Sequence, residues 1–103
     1  VEPAGLEAEQ LAKGRTVNAI AALEKHIEAA PDDPALLINL GIAHAQAGND
    51  VEARTMFKRA LLSPDPVELE TASEGTIDSR RLARKAMRML DRGEFATRIS
   101  RRD

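Results

Sequence analysis

The chain has 103 residues, a formal net charge of −2, 43% hydrophobic and 31% charged residues, and no cysteine. Such a length holds one domain with a modest core, and the missing thiol excludes disulfides, cysteine nucleophiles and cysteine-based metal sites. A mildly acidic whole is also a poor non-specific nucleic-acid binder. Phe57 and Phe95 are the only aromatic residues. The apolar bulk is therefore aliphatic and rich in alanine, which favours helices over strands and predicts an all-α domain.

In chain order, apolar periodicity predicts helices over roughly 3–13, 16–30, 34–47, 50–62, 66–74 and 79–92. Gly14, Gly48 and Gly93 each follow a periodic segment, as C-terminal caps do. Pro31 stops the second segment, and Asp33-Pro34 and Asp65-Pro66 read as an N-cap with proline at the first helical position. Val17, Ile20, Leu23 and Ile27 form the apolar face of the second helix, and Leu37, Leu40, Gly41 and His44 share a face of the third. Ala53, Met56, Phe57 and Ala60 do so in the fourth. Short loops predict antiparallel neighbours.

The sequence also repeats. Leu6 and Leu40, Gly14 and Gly48, Ala19 and Ala53, and Leu23 and Phe57 are each 34 residues apart. Over 34–64 the residues Leu37, Leu40-Gly41, His44, Gly48, Ala53, Phe57, Ala60 and Pro64 resemble the tetratricopeptide repeat. Residues 1–33 form a looser copy, in which Glu7 stands at a small-residue position and His26 at another. The resemblance implies antiparallel helix-turn-helix units stacked as a short right-handed solenoid. The boundaries are then repeat 1 over 1–33, repeat 2 over 34–65, a degenerate repeat with capping helices over 66–92 and a basic tail over 93–103. Gly41, Ala53 and Ala60 are small where helices approach, and Phe57 is the wedge between them.

A solenoid of this family implies a scaffold that binds a peptide or partner protein on its concave face, without catalysis or a cofactor. The matching groove positions are Ala35, Ile38, Asn39, Ile42, Ala45 and Gln46 in the second unit. Ala4, Ala8, Leu11 and Ala12 belong to the first, and Val67, Glu70, Thr71 and Glu74 to the third. Ile38 and Ile42 equally suit packing against a neighbouring helix. Asn39 can hold a peptide backbone, because its amide both donates and accepts. Chaperone-adaptor members grip a carboxylate with Lys, Arg and Asn from three repeats. Here Asn39 matches one such position, while Ala4 and Ala8 replace two others and the third unit, aligned on Pro66, supplies no base.

Charge is uneven: residues 71–103 carry 9 basic and 5 acidic side chains, residues 1–70 carry 6 and 12. Arg81, Arg84, Lys85 and Arg88 make the 79–92 helix basic around an apolar side of Leu82, Ala86, Met89 and Leu90. A capping helix with a solvated face is the plain reading. The sharper readings are membrane-surface binding, which the lack of an aromatic anchor on the apolar side disfavours, or an acidic partner; self-association of this basic end with the acidic repeats of a second copy is a third option. No apolar run reaches transmembrane length, so no membrane insertion is expected, and His26 and His44 share no metal-ligand spacing. Catalytic and phosphate-loop motifs are missing. The compartment stays open between bacterial cytoplasm and periplasm, because Val1 is not an initiator and an upstream targeting segment would be invisible. An envelope-associated assembly factor and a docking domain of a larger enzyme are the alternative readings.

Overall fold

A computed structural model describes the backbone of residues 5–95 and the side chains of residues 14–95. The order of elements is α1 (Gly5–Ala29), α2 (Pro34–Gln46), α3 (Asp50–Leu61), β1 (Glu68–Thr71), β2 (Gly75–Asp78) and α4 (Ser79–Asp91). Helices dominate, as the composition requires.

The second repeat unit folds as its residues predict. The Asp33 carboxylate caps α2 by accepting the Ala35 N–H at 2.9 Å. At the other end Gly48 takes φ +85, with its N–H donated to Ala45 O at 3.1 Å and the Asn49 N–H to His44 O at 2.8 Å. That paired arrangement satisfies two orphan carbonyls, and only a residue tolerant of positive φ closes it without strain. Chain reversal then lays α3 on α2. Gly41 faces the Phe57 ring so closely that a Cβ would sit 2.6 Å from Cδ1. Ala53, Phe57 and Ala60 are all fully buried. The far end is tied by Ser63 Oγ donating to Asp32 O at 2.6 Å and Arg59 Nη2 donating to Pro31 O at 2.9 Å. Ile20, Leu23 and Ile27 of α1 pack on the same core.

Two expectations are corrected. The predicted break at Gly14 is not there: α1 runs through it as one 25-residue helix, and Gly14 has no positive φ. One glycine inside a helix costs about 1 kcal/mol, so a break needs packing that rewards the reversal. The Gly41–Phe57 approach supplies that reward in the second unit. Its counterpart in the first pairs Glu7 with Leu23, and a long charged side chain forbids so close an approach.

The predicted helix over 66–74 is an antiparallel hairpin, with Glu68 opposite Asp78 and Thr71 opposite Gly75. Leu69, Thr71 and Ile77 alternate with exposed residues, which is strand rather than helix periodicity. Thr71 Oγ1 accepts the Glu74 N–H at 3.0 Å and donates to Gly75 O at 2.9 Å, and Gly75 takes φ +67. Together they hold the turn.

The helix that follows restores the repeat. Asp78 caps α4 as Asp33 caps α2, accepting the Arg80 N–H at 2.8 Å. Pro34 and Ser79, the first residue of each helix, are both fully buried. Gly93 closes α4 at φ +70, with Gly93 N–H to Leu90 O at 3.1 Å and Glu94 N–H to Met89 O at 2.9 Å. Asp33 to Asp78 and Gly48 to Gly93 are each 45 positions, 11 more than 34, and the hairpin from Glu68 to Asp78 is 11 residues long. Thus α4, after the hairpin, repeats the cap-to-glycine spacing of α2. Ser79 Oγ accepts the Val67 N–H at 3.0 Å, and the Ser79 N–H donates to Val67 O at 2.8 Å, joining insert to helix. Arg54, near the start of α3, pairs with Asp91 at the end of α4. The two helices are therefore antiparallel, and α4 runs parallel to α2. Ala83, Ala86 and Leu90 complete the shared core, and Phe95 stacks on Phe57 with centroids 6.1 Å apart.

Candidate functional site

Helix α2 is apolar nearly all round, so its neighbours bury it on several sides. Ala35, Asn39, Ile42 and Gln46 lie three to four residues apart and form one stripe. Asn39 and Gln46 are exposed, and Ala35 and Ile42 half-buried. Ile38 is different: at 2% exposure it belongs to the core and supports the stripe from beneath. Ala45 is buried likewise.

The 45-residue correspondence carries this stripe onto α4, where Arg80, Arg84, Met87 and Asp91 match Ala35, Asn39, Ile42 and Gln46. Sequence reasoning missed Arg80 here and set Arg84 elsewhere, because it aligned the third unit on Pro66. The signal that finds them is the second Asp cap and the second closing glycine. Arg80 is held to its own cap, with Nε donating to Asp78 Oδ1 at 3.1 Å and Nη2 to Oδ2 at 2.9 Å. That clasp lowers the Asp78 carboxyl to about 2 and raises the Arg80 guanidinium above its usual value. Arg84 is exposed and has no ion pair among the described residues. The stripe therefore presents one cation without an ion pair among the described residues, beside two primary amides and three apolar side chains.

The groove residues expected from the third unit fall elsewhere. Val67, Glu70, Thr71 and Glu74 belong to the hairpin and its approaches, and no helix carries them. Glu70 is exposed on β1 opposite Thr76. The side chains of Ala4, Ala8, Leu11 and Ala12 lie outside the described residues, as do 96–103 of the basic tail.

The basic set on α4 divides in two. Arg84 belongs to the stripe above, whereas Arg81, Lys85 and Arg88 line a surface hollow with Arg92, Met89, Ile77, Glu74 and Glu94. Lys85 donates to Glu74 and lowers its carboxyl, and Arg92 pairs with Glu94 at 3.6 Å. His44 is a packed histidine, 8% exposed, with Asn49 Nδ2 donating to its Nδ1 at 3.1 Å. Among the described residues no group of three or more His, Cys, Asp or Glu is placed to hold a metal ion.

Antiparallel helices paired through a glycine, a ring and two alanines, then stacked on a third parallel helix, define a helical-repeat protein. The tetratricopeptide repeat profile matches residues 10–66, more than half of the chain, and the chain belongs to that family. Repeats of this kind mediate protein–protein interaction and are typically non-catalytic modules. Comparison with curated proteins and with solved structures finds no match. Among the described residues no helix is long and apolar enough to cross a membrane.

Proposed function

We propose that the chain is a non-catalytic adaptor that holds a segment of a partner protein along the α2–α4 stripe. Asn39 and Arg84 carry the reading: they are exposed side chains at equivalent positions of two parallel, neighbouring helices. The Asn39 amide takes a peptide N–H and C=O together, as an extended segment needs. Arg84 offers a planar fork to a carboxylate, either a side chain or a free C-terminus. Ala35, Ile42 and Met87 leave room for small apolar side chains between these polar points. Met87 adapts its shape at little cost.

A basic residue, Arg84, stands in the third unit where the alignment on Pro66 expected Glu70 and Glu74 and no base. The partner segment is accordingly acidic as well as apolar. Affinity capture with the wild type and with an Asn39→Ala, Arg84→Glu double variant tests the site. Both side chains are exposed, so the fold should keep its stability within about 0.5 kcal/mol, while partners held by the wild type are lost. Equal retention by both proteins rejects the stripe.

A further inference from the structure

The opposite flank of α4 carries a second surface. Arg81, Lys85, Arg88 and Arg92 recur at three- and four-residue spacing and share the hollow of about 560 Å³ with Ile77, Met89, Glu74 and Glu94. By the 45-residue correspondence, Arg81, Lys85, Arg88 and Met89 match Leu36, Leu40, Ala43 and His44 of α2. In α2 that stripe is covered: Leu40, Ala43 and His44 are 3%, 6% and 8% exposed, and Leu36 is half-buried. In α4 Arg81 and Arg88 of the same stripe are exposed, and Lys85 and Met89 are half-buried. The hollow there is lined by basic side chains where α2 carries apolar ones.

We propose that this hollow is a docking surface for an acidic helical segment of a partner protein, distinct from the α2–α4 stripe. Charge decides the occupant. Glu74 and Glu94 already engage Lys85 and Arg92. Arg81 and Arg88 carry no ion pair among the described residues. They lie seven residues apart, about 10 Å along the helix, on one face. An incoming helix with carboxylates two turns apart meets both, and its apolar side covers Met89 and the edge of Ile77 that lines the hollow. Residues 96–103 have the wrong sign, since Arg98, Arg101 and Arg102 oppose a single Asp103. Arg81 lies near enough to Glu74 to help lower its carboxyl but forms no ion pair with it. A hollow lined by two guanidiniums without ion pairs over an apolar floor fits helix-in-groove recognition, and the charges set orientation and on-rate.

The test uses an Ala/Leu-based 18-residue helical peptide with Glu at four positions spaced three and four apart, and a twin with Gln in their place. Fluorescence anisotropy against the full chain should show saturable binding of the Glu peptide that weakens about tenfold or more in the Gln twin and in Arg81→Glu, Arg88→Glu. Raising salt from 50 to 500 mM should weaken it likewise. The Asn39→Ala variant, neutral and on α2, should bind the peptide unchanged, which separates this surface from the proposed stripe. Equal binding of the Gln twin overturns the proposal. So does no binding at millimolar peptide, or a concentration-dependent dimer by sedimentation that the Arg81→Glu, Arg88→Glu variant abolishes. Equally tight, variant-sensitive binding to anionic vesicles or duplex DNA would mark a general polyanion patch and overturn it as well.

Discussion

Replacing Gly41 by alanine sets two effects of opposite sign against each other. Alanine inside a helix is favoured over glycine by about 1 kcal/mol, so propensity alone predicts a more stable protein. The new Cβ, however, would lie within 3.0 Å of Phe57 Cδ1, Cε1 and Cζ. The ring cannot yield cheaply, because it is fully buried between Ala53 and Ala60 and stacks on Phe95. Overpacking of this kind costs about 1–3 kcal/mol, and contact with three atoms of a confined ring puts it toward the upper end. The expected net loss is about 1–2 kcal/mol, a fall in Tm of roughly 4–16 °C for a domain of this size. Urea denaturation followed by circular dichroism at 222 nm measures it. Phe57→Leu alone opens a cavity, but in the Gly41→Ala background the smaller side chain relieves the clash. The double variant should therefore be more stable than the sum of the singles by about 1 kcal/mol. A stabilised Gly41→Ala protein, or strict additivity, would refute the close-approach argument.

Two further perturbations test the insert. Ser79→Ala removes the acceptor of the part-buried Val67 N–H and should cost about 1–2 kcal/mol, with faster hydrogen exchange at Val67; unchanged exchange would contradict the role given to that hydroxyl. Asp78 has its carboxyl lowered from 3.8 to about 2 by the Arg80 hydrogen bonds, so its stabilising effect is present above about pH 4 and is lost as pH falls through about 2. The Tm difference between wild type and Asp78→Asn should shrink over that interval, and a difference constant down to pH 2 would exclude the Arg80 clasp.

The middle of the molecule is legible in the sequence because its local signals and its packing agree. Asp33-Pro34, Gly48 and the Gly41–Phe57 pair each point to the same hairpin of helices. The third unit misleads because Asp65-Pro66 imitates Asp33-Pro34. A search at a fixed spacing of 34 then looks for the next helix 11 residues too early. Asp78-Ser79 and Gly93 hold the true register, and Thr71, Gly75 and the alternation around Leu69 and Ile77 hold the hairpin. Gly14 misleads for another reason. Its spacing to Gly48 is right, but a glycine permits a break without compelling one, and the reward lies in a contact that Glu7 and Leu23 cannot make. The groove follows the register: Asn39 is readable in α2, and Arg84 acquires its place beside it only once α4 is matched to α2. Burial separates Ile38 from Ile42, which periodicity alone leaves equivalent.

The adaptor reading rests on Asn39 and Arg84 acting together on one segment. A 15N-resolved NMR titration with an acidic peptide ending in a free carboxylate, and with its C-terminally amidated, Gln-substituted twin, tests this directly. The expected result is a set of shifts confined to the Asn39 amide group and the exposed amides of α2 and α4 around Ala35, Ile42, Arg84 and Met87, much weaker with the twin. Shifts confined to α1 and α3, or equal shifts with both peptides, would contradict it.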